Sequence, residues 1–137
     1  MPMKLPAASL VFGIWVVAGP VCLAQHMNAK EAPCQGPSTT ADEASCFSVA
    51  LEKADAELNK YYRRVETLET GDDLTNLKNA QRLWIQFRDA NCKAEYDLYE
   101  GGSAGPTVKL ACLEATTRHR TEELETMYGW RLEKFGK

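Results

Sequence analysis

The sequence predicts an all-α protein: a small antiparallel three-helix bundle with an extended N-terminal arm, stapled by disulfides. Three observations lead there. Apolar residues recur at helical spacing in three separate segments, and glycine- or proline-bearing breaks part them. No segment alternates apolar and polar residues as a strand would. Four cysteines remain once a leader-like N-terminus is set aside.

At 137 residues, 45% hydrophobic and 26% charged, the chain has the composition of one globular domain. Its 16 basic and 19 acidic residues give a net charge of −3, which disfavours nucleic acid as a partner. With two histidines and no nucleotide-binding loop, no metal and no cofactor are expected. The chain divides into residues 1–24, a signal peptide; 25–41, the arm; 42–132, the helical domain; and 133–137, a C-terminal tail.

Lys4, the apolar run from Ala7 to Ala18, Gly19-Pro20 and the small-residue site Cys22-Leu23-Ala24 form the three parts of a secretory signal, with cleavage expected before Gln25. Two alternatives stay open. Leu5 to Ala24 is just long enough to be retained as a membrane anchor, and Cys22 could carry lipid. Val21 is a poor fit to the second, because lipoprotein processing favours a small residue before the cysteine. Membrane association is therefore expected only through one of these routes. Cleavage removes one basic group, Lys4, and no acid, and leaves the domain in an exported setting where disulfides persist.

The arm holds Pro33, Gly36, Pro37 and a Ser-Thr-Thr run, so it reads as extended, with Cys34 pinning it. From Asp42 the pattern becomes helical: Phe47, Leu51, Ala54, Leu58, Tyr61, Val65 and Leu68 alternate steps of four and three. Thr40 or Asp42 can cap its start, and Gly71 lies beyond its end. A second helix is expected after Asp72-Asp73, carrying Leu74, Leu77, Ala80, Trp84, Phe87 and Leu98 on its stripe and stopping at Gly101-Gly102. Pro106 suits the first turn of a third helix, with Val108, Leu110, Leu113, Thr117, Leu124 and Met127. Gly129 costs about 1 kcal/mol relative to alanine and invites fraying.

Cys34, Cys46, Cys92 and Cys112 are spaced by 12, 46 and 20 residues, which offers no close ligand pair for zinc. Pairing 34 with 46 and 92 with 112 closes two local loops, each worth about 3 kcal/mol on the loop-entropy model. Antiparallel packing gathers all four at one end, so Cys46 with Cys92 stays open.

The runs Ala54 to Tyr62 and Ala80-Gln81-Arg82-Leu83-Trp84-Ile85-Gln86-Phe87-Arg88-Asp89-Ala90-Asn91-Cys92, then Gly101-Gly102-Ser103, then Cys112-Leu113 with Thr117, Arg120 and Leu124, resemble the LprI-type lysozyme inhibitor family. The resemblance covers about Cys34 to Leu124. It implies a small, exported, helical, cysteine-bearing protein that binds lysozyme or a related cell-wall hydrolase. It carries over no set of functional residues.

Several candidates follow from the residues. Leu58, Trp84 and Phe87 are expected in the core, and Arg88 is expected to reach Asp55 across the helix seam, a structural role. The loop from Gly101 to Thr107 is the candidate partner-binding element: Gly101 and Gly102 permit close approach, and Ser103 can hydrogen-bond the carboxylates of a lysozyme cleft. The bland reading is that the glycines end one helix while Ser103 caps the next. Glu95, Asp97 and Glu100 flank that loop and would steer a basic partner. His119 sits between Arg118 and Arg120, which disfavours a cation, and His26 lies in the arm. Glu122 and Glu125 could imitate a hydrolase dyad but suit a solvated face, so no catalytic residue is expected. The expected function is inhibition by occluding a muramidase cleft; the alternative is an envelope binding module or toxin-immunity protein that does not inhibit lysozyme.

Overall fold

The computed structural model describes residues 26–36 and 39–136. The expected leader, its cleavage point before Gln25, Cys22, and Lys137 of the tail lie outside the described residues. Within them the chain forms a 3-10 turn, His26–Asn28, and three α-helices: α1 Thr40–Glu66, α2 Gly71–Asp97 and α3 Gly105–Phe135. Among the described residues there is no strand, and no helix is long and apolar enough to cross a membrane.

The helix ends differ from the expected ones by a few residues. Thr39, neither Thr40 nor Asp42, caps α1: its Oγ1 accepts from the Asp42 amide at 3.1 Å and donates to Asp42 Oδ2 at 2.7 Å. Gly71, expected to stop the first helix, instead opens α2 at φ +56°, so only Thr67 to Thr70 separate the two helices. Helix α2 stops at Asp97, before the glycine pair. Helix α3 runs without a break through Gly129, into the expected tail, to Phe135.

The arm is not extended over 26–36. Its 3-10 turn and the Cys34–Cys46 disulfide fold it back onto the helices, so Ala32 and Cys34 are buried with Phe47 and Ala111. Gln35 Nε2 holds the bend by donating to the carbonyls of Ala29 (3.1 Å) and Ala32 (3.2 Å).

Helix α3 is central. It packs along α1 and along α2, whereas α1 and α2 meet little. The α1–α3 seam runs from Phe47 with Ala111 near one end to Val65 with Leu132 near the other, and Ala54 and Leu58 of α1 and Val108, Ala115 and Leu124 of α3 are buried as well. Flanked on two sides, α3 buries residues around much of its circumference, including Thr107, Glu114 and Thr117. Its expected single stripe is accordingly incomplete, and Met127 stands 55% exposed. Helix α2 buries only Leu77 and Cys92. Leu77 joins Val65 and Leu132 near the α1–α2 turn, and Cys92 is bonded to Cys112 at the other end.

Candidate partner-binding end

The second disulfide sets the geometry of the site. Cys92 and Cys112 are both fully buried, and their bond ties the last turns of α2 to the first turns of α3. Of the pairings left open by spacing, the structure contains Cys34–Cys46 and Cys92–Cys112.

Between those turns the backbone reverses through Leu98 to Ala104. Glu100 (φ +46°) and Gly101 (φ +80°) both take the left-handed conformation, which a glycine adopts freely and a glutamate only at some cost. The Gly102 amide donates to the Tyr99 carbonyl at 2.7 Å and the Gly105 amide to the Gly102 carbonyl at 3.1 Å. Gly105 is buried where a Cβ would lie 3.0 Å from the Tyr96 ring, so the chain passes close beneath that aromatic. Thr107 is not a surface residue of the loop. It is buried within α3, and its hydroxyl donates to the Thr40 carbonyl at 3.4 Å, linking the base of the turn to the start of α1. What remains exposed at the tip is Glu100 to Ser103. Ser103 caps nothing: Ala104 is the N-cap of α3 and makes no side-chain capping bond.

The flanking acids have different surroundings. Glu95 is turned inward, its side chain 12% exposed, with Oε2 2.9 Å from His26 Nδ1. The steering charge expected of it is therefore not displayed to solvent. Asp97 is exposed and pairs with Lys93 one turn earlier at 2.5 Å, and Glu100 is exposed. Cys112 Sγ lies within 4.8 Å of the His26 and Glu95 ligand atoms. That sulfur is held in the disulfide and offers no thiolate, so the trio lacks the donor set of a zinc site.

One helical turn or more below, Arg88 organises the α2–α3 seam. Its Nη1 donates to Asp55 Oδ1 at 3.3 Å and to Thr117 Oγ1 at 3.2 Å, and its Nε donates to Asp89 Oδ1 at 2.9 Å. Trp84 is half-buried between two guanidinium groups, Arg88 at 5.2 Å and Arg120 at 5.7 Å from its ring. Arg120 also donates to Gln81 (3.1 Å) and Glu123 (2.9 Å). Leu58 is buried as expected. Phe87 is not: it is 62% exposed. The face of α2 that meets α3 carries Leu77, Trp84, Arg88 and Cys92, and Phe87 stands about 60 to 100° away from Trp84 and Arg88 around the axis. Helix α1 packs mainly on α3 and touches α2 at few points, so nothing covers that flank within the described residues.

On α3, His119 is exposed beside Glu122, Glu123, Thr126 and Met127 along an open groove of about 470 Å³. Glu122 lies 3.5 Å from Arg118, an arrangement of surface ion pairs with no enclosed cavity for a reaction.

Two buried carboxylates escaped the sequence reading. Glu69 accepts from Arg131 and Glu114 from Arg118, and both acid side chains are almost wholly enclosed. A charged residue on a helical pattern carries no mark of burial, although the i,i+4 spacing of Glu114 and Arg118 is a signal for that pair.

A family model described as "Lysozyme inhibitor LprI" matches residues 31–124. An uncharacterized protein of Rhizobium meliloti (strain 1021) is 35% identical, covering 78% of this chain and 88% of its own length. No solved structure matches the chain.

Proposed function

The chain belongs to the LprI family of lysozyme inhibitors, and on that premise we propose that it is an exported protein that binds a lysozyme-type muramidase and occludes its cleft, with no chemistry of its own. One observation carries the reading. The tip Gly101-Gly102-Ser103 protrudes into solvent from a base held by Cys92–Cys112, by Gly105 beneath Tyr96, and by Thr107 on Thr40. A turn ordered before binding loses little conformational entropy when it enters a cleft. Glycines at 101 and 102 let its backbone approach a wall closely, and the Ser103 hydroxyl is free to donate to the carboxylates that line such a cleft.

Contacts that climb α2 from Leu77 to Cys92 as they descend α3 from Leu132 to Cys112 support the antiparallel three-helix arrangement on which this rests. Paired cysteines support an oxidising, exported setting reached by way of the signal peptide at 1–24.

The test is a cell-wall lysis assay with purified domain and several lysozymes, run beside a binding titration. Inhibition at stoichiometric ratio is expected, and it should weaken in a Ser103→Trp variant that melts like the parent. Binding without inhibition would make the protein an envelope binding module instead, and an absence of both would overturn the reading.

A further inference from the structure

The free flank of α2 has an unusual composition. Ala80, Leu83, Phe87, Ala90, Ala94 and Leu98 follow one another at steps of three and four, and all six are exposed, Leu83 by 60%, Phe87 by 62% and Leu98 by 78%. Apolar residues at this spacing normally mark the face that a helix buries. Here α3 occupies a different face, the one bearing Leu77, Trp84, Arg88 and Cys92.

Charge is distributed as unevenly as burial. Within about 80° of Phe87 around the helix axis, α2 carries no lysine or arginine. Its exposed acids on that face are Asp72 and Asp73 at the start and Asp97 at the end; Glu95, at the same angular limit on the other edge, is turned inward onto His26. Lys78, Arg82 and Lys93 project from the other sides; at the edge of the face Lys93 turns back to Asp97 and Arg82 to Asn79. The face is thus an apolar strip closed at both ends by carboxylates.

We infer that this strip is a docking surface for a basic protein bearing an apolar ridge, and that its occupant is the same hydrolase that receives the turn at 101–103; the inference rests on that reading. Two further arguments favour this occupant. A second copy of the chain is a poor fit, because pairing α2 with α2 in either direction sets carboxylates against carboxylates at the ends. Size is the other. A stable complex buries about 800 Å² on each partner, more than a three-residue tip can supply. The strip runs about 27 Å from Ala80 to Leu98 at 1.5 Å per residue and leads directly into the turn. Tip and strip together form one continuous surface.

The experiment measures binding of the full domain to a basic c-type lysozyme and a g-type lysozyme, with sedimentation of the domain alone. Phe87→Glu and Leu83→Glu should each raise Kd about 30-fold or more while melting like the parent, since both side chains are exposed. Ile85→Glu, on the opposite side of α2 and 41% exposed, should stay within about twofold. Asp72→Asn with Asp97→Asn should slow association and flatten its salt dependence. Parental affinity in Phe87→Glu, beside lost inhibition in Ser103→Trp, would overturn the strip and leave the cleft reading standing. Lost affinity in Phe87→Glu with full inhibition by Ser103→Trp would uphold the strip and overturn the cleft reading. Self-association abolished by Phe87→Glu would assign the strip to a second copy and overturn the inference, and failure of both lysozymes to bind would remove it together with its premise.

Discussion

Arg88 of α2 and Asp55 of α1 are joined at 3.3 Å although their helices otherwise meet little, because the guanidinium reaches across the seam while also donating to Thr117 of α3. One side chain thereby touches all three helices and stacks on Trp84. The family-like segment from Ala80 to Cys92 contains the residues that lock α2 onto the other two helices.

Arg88→Ala should therefore destabilise the fold by about 2 to 3 kcal/mol, a fall of roughly 10 °C or more in Tm for a domain of this size. Arg88→Lys should recover only part of it, because an ammonium cannot serve three acceptors and an aromatic face at once. Asp55→Asn should cost under about 1 kcal/mol, its carboxylate being 43% exposed. Thermal unfolding followed by circular dichroism decides, and an Arg88→Ala protein that melts within a degree or two of the parent would contradict the hub.

Glu69 is one of the two buried carboxylates, its side chain 4% exposed against Arg131. Arg131→Met leaves that carboxylate without its partner and should cost about 3 kcal/mol. The double replacement Glu69→Leu with Arg131→Met should lie nearer the parent, since it removes the charge and its need together. Denaturant titration of the three proteins measures the difference.

The two disulfides are expected to separate stability from binding. Replacing Cys92 and Cys112 by alanine should cost about 3 kcal/mol and also weaken inhibition, because the base of the 98–104 turn is released. Replacing Cys34 and Cys46 should cost a similar amount but leave inhibition near parental once the protein is folded. Equal loss of inhibition in both variants would detach the turn from the mechanism.

At the turn itself, Gly101→Ala should cost about 1 kcal/mol because its φ of +80° suits glycine alone. Ser103→Trp should cost nothing measurable in stability and raise the inhibition constant at least about tenfold. A Ser103→Trp protein that inhibits normally would move the contact elsewhere.

High pH should expose the packing of α1. Burial, and then neighbouring carboxylates, raise the pKa of Tyr61 and Tyr62 above the ordinary phenol value of 10.0. The unfolded chain releases these protons first, so stability is unaffected below about pH 10 and declines as pH climbs through the raised folded values. Phenolate absorbance should show two of the tyrosines titrating late, and Tyr61→Phe with Tyr62→Phe should flatten the decline.

Three helices, an even set of cysteines and an acidic balance were all legible in the order of residues, from apolar steps of three and four, glycine at the breaks, and composition; the structure chose Cys34–Cys46 with Cys92–Cys112 over the Cys46–Cys92 pairing that antiparallel packing left open. Even the Arg88–Asp55 bond could be anticipated from antiparallel geometry. The rotation of α2 could not. Its pattern holds two overlapping apolar faces, one through Leu77, Trp84 and Cys92 and one through Ala80, Leu83, Phe87 and Leu98. A periodic stripe shows that something covers a helix without showing which neighbour does. Only the packed structure decided that α3 takes the first face, since α1 lies against α3 and leaves the second face to solvent. The inward turn of Glu95 onto His26 and the burial of Glu69 against Arg131 belong to the same class, for each carboxylate's partner lies across space and is invisible along the chain; Glu114's partner Arg118 is visible at i,i+4, but its burial is not.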